Sequence, residues 1–371
     1  MEQNKNVLIS GASFAGLTTA YWMNKMGYKV TIVEVGSYLK KGGTPVDIKD
    51  STVDIVKRMG LFEQIKANRL TLEKWEFKNA EDLTGHKMLL RQPGEEMPDD
   101  EFEIERDTLL NMMYETVKDD VTFIFNNSIT ALNETEDSIE ATFKDGSQNR
   151  FEYIFGCDGM HSVVRRLWFG NEAEYSHFLG QYFSIAIVNK LLIEESTLQL
   201  YAEPNKAFML NAYNGKTDIV FTFRPEKEIP YDFRNQEQIK KIIYDQMQGM
   251  SWRVSELKEE LLNSDSLYFD KFCQIKMPSW TKSRVALVGD AGYCASPAAG
   301  MGGSLAIIGA TALVDAFAKN NGNFELAFAA YNKDLRPFIE EVQESVIGNL
   351  EVLLPRTEEA VSKQYAEGIS F

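Results

Sequence analysis

The chain has 371 residues, 44% hydrophobic and 25% charged, which suits a two-domain globular protein and excludes a disordered one. Its 39 basic and 55 acidic side chains leave a net charge of −16, which excludes a nucleic-acid backbone as partner. Three dispersed cysteines (Cys157, Cys273, Cys294) and three histidines (His86, His161, His177) show no metal-ligand spacing, so no metal is expected and a reducing, cytoplasmic setting is.

Val7–Ser10 predicts a strand, Ala15–Met26 a helix stopped by Gly27, and Lys29–Glu34 a second strand, together a right-handed βαβ unit. The apolar run from Val7 to Met23 resembles a targeting segment, but its glycines sit where a strand, turn and helix need them, and Glu2 stands in the leader. Ser51–Met59 reads as a short helix. Glu73–Lys78 and Lys87–Arg91 alternate like antiparallel strands, and Gln92–Asp100 is a Pro/Gly/acid-rich loop. Glu101–Glu105 predicts a strand and Asp107–Val117 a helix. Val121–Phe125, Ser128–Asn133 and Ser138–Phe143 read as strands, the last turning at Asp145-Gly146 into Phe151–Gly156. From Tyr175 to Phe272 the pattern changes to strands at Tyr182–Asn189, Thr197–Ala202, Ala207–Tyr213 and Thr217–Arg224, then helices near Gln236–Met250 and Val254–Asn263. The apolar run Leu305–Ala318 is too short to span a bilayer and reads as a buried helix. Phe324 to Leu354 is helical, with Pro337 bending or restarting it.

This order predicts an α/β fold: a discontinuous Rossmann-like dinucleotide-binding domain (1–72, 101–174 and 276–322), an inserted antiparallel-sheet domain (73–100 and 175–275) and a C-terminal helical segment (323–371). Gly11-Ala12-Ser13-Phe14-Ala15-Gly16 fits G-x-G-x-x-G with serine in the middle. Gly11 permits the tight turn, Ser13 lets a pyrophosphate approach the helix start, and Gly16 allows close packing. Glu34 closes the second strand, where its carboxylate can accept from ribose hydroxyls and would repel a 2′-phosphate. Arg106 opens a helix against the macrodipole, which suits either an anionic or carbonyl-rich ligand or a neighbouring acid. Asp158-Gly159 is a tight turn after a buried strand. Asp290 ends the apolar strand 285–289. Ser296 to Gly303 is a small-residue loop whose bare N–H groups open the helix from Ser304 and would face a partial negative charge. No nucleophile elbow, Walker lysine or paired-carboxylate signature is present, and Tyr293 and Cys294 read as packing residues.

As a set, these residues resemble the FAD-dependent aromatic hydroxylases, single-component flavin monooxygenases typified by para-hydroxybenzoate hydroxylase. Gly11–Gly16 with Glu34, Arg106 with Leu109, Asp158-Gly159 with Ser162 and Arg165, and Gly289-Asp290 with Pro297 and Gly300 carry the resemblance; Trp280, Arg284, Tyr331, Arg336 and Pro337 add to it. Lys41-Gly42-Gly43 through Asp47-Ile48, and Lys276 through Asp290, are most similar to the tetracycline-inactivating members. The resemblance implies that Gly11, Ser13, Phe14, Ala15, Gly16 and Glu34 hold the ADP half of FAD, and that Arg106 and Asp290 hold its middle. It also implies that Lys41, Gly43, Asp47, Leu109, Pro297, Gly300, Gly302 and Gly303 line the cofactor, and that Asp158 and Gly159 serve FAD and the NAD(P)H encounter. No side chain is implied as catalytic, because the cofactor supplies the chemistry. The implied activity is hydroxylation, with NAD(P)H and O2, of an aromatic or polycyclic small molecule such as a tetracycline, by a monomer without a membrane span. A flavin reductase that does not oxygenate and a drug-sequestering flavoprotein are the competing readings. Gly292-Tyr293, Ser296, Met301 and Ser304 stand where the family usually has Ala-His, Pro, Gln and Asn.

Overall fold

In the computed structural model, residues 5–91 and 98–369 are described; residues 92–97 of the expected acid-rich loop, and Glu2, lie outside the described residues. Six strands form one sheet in the order Thr281–Lys282, Val285–Leu287, Tyr153–Gly156, Asn6–Ser10, Lys29–Val33, Thr122–Ile124. All neighbours run parallel except Thr281–Lys282, which turns back on Val285–Leu287. Val7, Leu8, Ile9, Ile154 and Phe155 are fully buried, as a sheet covered on both faces requires. The helices Phe14–Lys25 and Gly302–Lys319 pack against each other, pinned by a Trp22 Nε1–Thr311 Oγ1 hydrogen bond of 3.0 Å.

Two expectations change here. Phe151–Gly156 is not one strand. Gln148–Phe151 pairs with Ile139–Phe143 in a separate three-stranded sheet, and the chain crosses to the parallel sheet at Glu152, whose N–H donates to Asn6 O at 2.7 Å. The helix expected to be too short for a bilayer starts at Gly302 and has 18 residues, enough by length and composition to cross one. What places it in the core is burial: Leu305, Ile307, Ala310, Leu313 and Phe317 are all buried.

The inserted region is a seven-stranded sheet in the order Tyr268–Ile275, Ser176–Val188, Lys216–Phe223, Lys206–Tyr213, Thr197–Glu203, Lys74–Lys78, Thr84–Leu89. It is antiparallel except where Thr197–Glu203 and Lys74–Lys78 run parallel. Strand alternation gives it two apolar faces. The outer face, with Phe208, Leu210, Ile219 and Phe221, is covered by the helices Gln236–Gln246 and Val254–Asn263 through Ile239, Ile243, Leu257 and Leu261. The inner face turns Phe183 and Phe272 toward Ala298, Ala299, Val346 and Leu350.

Phe324–Leu353 is a single helix of 30 residues with Pro337 inside it, not two. Near its start Tyr331 Oη lies 3.0 Å from both Leu287 O and Tyr293 Oη. Near its end Val346 and Leu350 meet the seven-stranded sheet. Tyr293 fits only because residue 309 is glycine: a Cβ there would stand 1.7 Å from the Tyr293 hydroxyl. Gly309→Ala is expected to destabilise the protein by about 1–3 kcal/mol in denaturant unfolding. Combining it with Tyr293→Phe recovers part of that loss, because the offending oxygen is then gone.

Candidate functional site

The glycine turn is built as the sequence demands. Gly11 has φ +102°, and a Cβ there would come within 2.5 Å of Cys157 O. A Cβ on Gly16 would stand 1.9 Å from Gly11 O. Only glycine satisfies both positions. Ser13 opens the helix Phe14–Lys25 without a side-chain capping bond, and Ala15 packs where Gly289 leaves room. Glu34 reaches back over the turn: Oε2 accepts from Ala12 N–H at 2.9 Å and Oε1 from Gly36 N–H at 2.8 Å. One donor on each oxygen fixes the carboxylate and leaves lone pairs for hydroxyl groups.

Arg106 binds carbonyls of its own chain rather than being held chiefly by an acid. Its guanidinium donates to Lys40 O at 3.0 Å, Gly42 O at 2.8 Å and Ser13 Oγ at 3.2 Å, and lies 5.3 Å over the Phe14 ring. Asp107 is a weaker partner at 3.7 Å. Arg106 thereby straps the loop around residues 40–43 to the dinucleotide turn, and a Cβ on Gly43 would collide with its Cδ at 2.7 Å. Burial lowers the pKa of the guanidinium, against the opposing pull of Asp107.

The second glycine-rich start joins the first. A Cβ on Gly303 would press on Val46 Cγ1 at 2.5 Å and meet Phe14 at 3.5 Å. Ser304 Oγ donates to Asp47 O at 2.7 Å, tying the helix to the strand Val46–Lys49. Met301, at the N-cap of Gly302–Lys319, offers no side-chain cap, whereas Asn235, Asn323 and Thr357 cap their helices. At Gly300, with φ +66°, and at Gly302 a Cβ would meet nothing beyond the adjoining chain among the described residues, so the backbone is bare there. Pro297 begins the turn Pro297–Ala299. Burial raises the Asp290 pKa, and Cys294 is its side-chain hydrogen-bond partner. Lys41 is exposed, and Leu109 is fully buried in the same core as Phe14, Ala15 and Val46.

The Asp158-Gly159 turn forms as expected, held by the Asp158 carboxylate. Asp158 caps its own loop, accepting from Val163 N–H at 2.9 Å, Val164 N–H at 3.2 Å, Ser10 Oγ at 3.2 Å and Ser162 Oγ. Gly159, at φ +77°, supplies the left-handed turn beside open space. Arg165, which the resemblance singled out without giving it a role, lies behind this turn. It has 0% exposure and donates to Ala291 O at 2.8 Å, Glu172 Oε2 at 3.1 Å and Met160 O. It thus links the Asp158 turn to the residue after Asp290.

A set of acids behind Asp47 was missed. Asp47 pairs in register with Glu103, and the inner face of the seven-stranded sheet brings Asp218 toward them. Burial, then the charge of Asp47, raises Glu103 to about 7. Burial, then Glu103 and Glu105, raises Asp218 to about 7, while Tyr213 Oη donates to Asp218 Oδ1 at 2.8 Å. A carboxyl whose folded pKa is raised contributes stability that is full below its unfolded pKa and is lost as pH climbs to the folded value. Stability should therefore fall between about pH 4 and 7, and Asp218→Asn should flatten that fall by on the order of 3 kcal/mol in urea melts at stepped pH.

Comparison with known proteins agrees with this geometry. Residues 4–345 match the FAD binding domain family. A flavin-dependent monooxygenase of Legionella longbeachae is 34% identical over 99% of this chain and 94% of its own length. The crystal structure of tetracycline destructase Tet(51) is similar with a TM-score of 0.86 at 30% identity, covering 97% of this chain and 94% of that one. That of Tet(55) has a TM-score of 0.85 at 28% identity, covering 100% and 99%. With two uncapped glycine-rich helix starts and a carboxylate fixed over the first turn, the chain belongs to the FAD binding domain family and is a flavin-dependent monooxygenase with FAD as its cofactor.

Proposed function

We propose that this monooxygenase uses NAD(P)H and O2 to hydroxylate a polycyclic aromatic compound of the tetracycline kind. The observation that carries the reading is similarity over the whole chain, inserted sheet included, to two tetracycline destructases. Gly11 to Gly16 and Glu34 would hold the adenosine end of FAD, and the backbone at 300–303 would face its ring. Bound there, FAD supplies the redox and oxygen chemistry.

The protein's own residues bind, orient and exclude water. Arg106 closes the loop of residues 40–43 over the dinucleotide turn. The uncapped start of Gly302–Lys319 directs its N–H groups at whatever partial negative charge forms beside it. Phe183, Phe272 and Val346 form a buried apolar cluster that joins the inner face of the inserted sheet to the long helix Phe324–Leu353. A monomer in a reducing compartment is consistent with three buried free thiols at Cys157, Cys273 and Cys294.

Arg106→Lys should raise the Kd for FAD about tenfold or more, because an ammonium cannot reach three acceptors in a fixed fork. Flavin fluorescence titration measures it; an unchanged Kd would remove Arg106 from the site. For the activity, NAD(P)H oxidation is followed with tetracycline and 18O2. The expected product carries one added labelled oxygen. NAD(P)H consumption without label in the product would support a reductase instead, and stoichiometric binding with unchanged ligand mass a sequestering flavoprotein.

A further inference from the structure

Hydroxylation with NAD(P)H has a proton requirement. Substrate, NAD(P)H, O2 and one proton go in; hydroxylated substrate, NAD(P)+ and water come out. On the monooxygenase reading, a proton must therefore pass from solvent to the cofactor cleft in every turnover.

Tyr268 lies against the loop that Arg106 ties to the dinucleotide turn. It begins the edge strand of the seven-stranded sheet, paired with Ile185, and its ring lies 5.7 Å from Phe183. Lys40, on the loop that Arg106 straps, places its ammonium 5.2 Å over the same ring. Tyr268 is 40% exposed, so its ring keeps an open side. Burial first, then the charges of Asp270 and Asp290, hold its phenol well above the ordinary range, so it stays protonated.

From Tyr268 a continuous chain of hydrogen bonds leads outward. Its hydroxyl donates to Asp270 Oδ2 at 2.8 Å. Asp270 is 2% exposed and accepts on the same oxygen from His161 Nε2 at 3.2 Å. Its Oδ1 accepts from Tyr231 Oη at 2.7 Å and the Lys271 N–H at 2.8 Å. His161 lines a solvent-accessible pocket of about 340 Å³, stacked 4.6 Å from Phe233. Its Nδ1 donates to Glu172 Oε1 at 3.0 Å, and Arg165 holds Glu172 in turn. The remaining charged groups around the pocket are Arg166, Arg234 and Lys271, the last paired with Glu228. Neither the helix opening at Gly302 nor the Arg106 strap uses any of these groups.

We propose that Tyr268, Asp270 and His161 form a proton conduit from the pocket at His161 to the cofactor cleft at Tyr268. In one passage His161 releases its Nε2 proton to Asp270 Oδ2. Asp270 passes a proton to Tyr268 Oη, and Tyr268 gives its own hydroxyl proton to the oxygen being reduced to water. A proton from the pocket then restores the imidazolium. No electron moves onto any of the three side chains. Burial opposes charge on His161, but the hydrogen bonds to Asp270 and Glu172 outweigh it and raise its pKa to about 9, so the outer end is loaded at neutral pH.

The test uses the FAD-loaded protein. Histidine-selective NMR, with His161→Asn identifying the signal, should show His161 titrating near pH 9 and returning toward the ordinary histidine range in Asp270→Asn. An unmoved titration means the two groups are not joined and overturns the conduit. In single turnovers, His161→Ala and Tyr268→Phe should slow product formation by about tenfold or more and enlarge the solvent deuterium isotope effect. Imidazole should restore His161→Ala and leave Tyr268→Phe slow. Slowing without an isotope effect and without rescue is a packing defect and also overturns the proposal. Wild-type protein that makes no oxygenated product fails the monooxygenase reading and the conduit with it. Wild-type product with undiminished rates in both variants fails the conduit alone.

Discussion

A guanidinium sealed from solvent holds this cleft together. Arg165 donates to the carbonyl that follows Asp290, to a carbonyl in the Asp158 turn, and to Glu172. Burial lowers its pKa; Glu172 and Asp158 counter that, and a guanidinium is the cation that tolerates such a place best. Its Nε has no partner among the described residues, so the pairing is incomplete as well as dry. Removing one side of such a pair would leave a charge uncompensated in the interior, which is far more damaging than losing a surface ion pair. Through Glu172 the same residue also fixes His161, and through His161 the edge of the seven-stranded sheet.

The parts of this fold that were legible in the sequence are those whose signal is local. Gly11 and Gly16 announce a turn because no other residue fits the backbone, and the strand-helix-strand around them has its own periodicity. The strands between Thr197 and Phe223 showed as runs bounded by turn residues, and they are buried on both faces because helices cover one and the rest of the protein the other. The strands Val46–Lys49 and Arg69–Leu70 are too short to show a period. They exist because Glu101–Ile104 lies between them and supplies both ladders.

The site followed the same division. Glu34 and Arg106 were found because each sits at an element terminus beside a motif. Arg165 was marked only by the resemblance, since two adjacent arginines in a short helix look like a solvated face; the fold shows that one of them points inward. The carboxyl group of Asp158 is a different lesson. A strand-end aspartate followed by glycine reads as a tight turn, and its oxygens accept from three donors of its own loop and from Ser10 at the end of the strand Asn6–Ser10. What that turn presents outward is backbone.

The helix Phe324–Leu353 is about 45 Å long and touches both halves of the molecule. Tyr331 binds it to the parallel sheet, and Val346 and Leu350 bind it to the inserted one. Pro337 lies between those anchors, where the missing N–H leaves the helix ladder one bond short. The two sheets are therefore joined by a beam with a single weak section. Any change in the gap between them becomes curvature at Pro337, so the working aperture of the cleft is a mechanical property of one helix far from the chemistry.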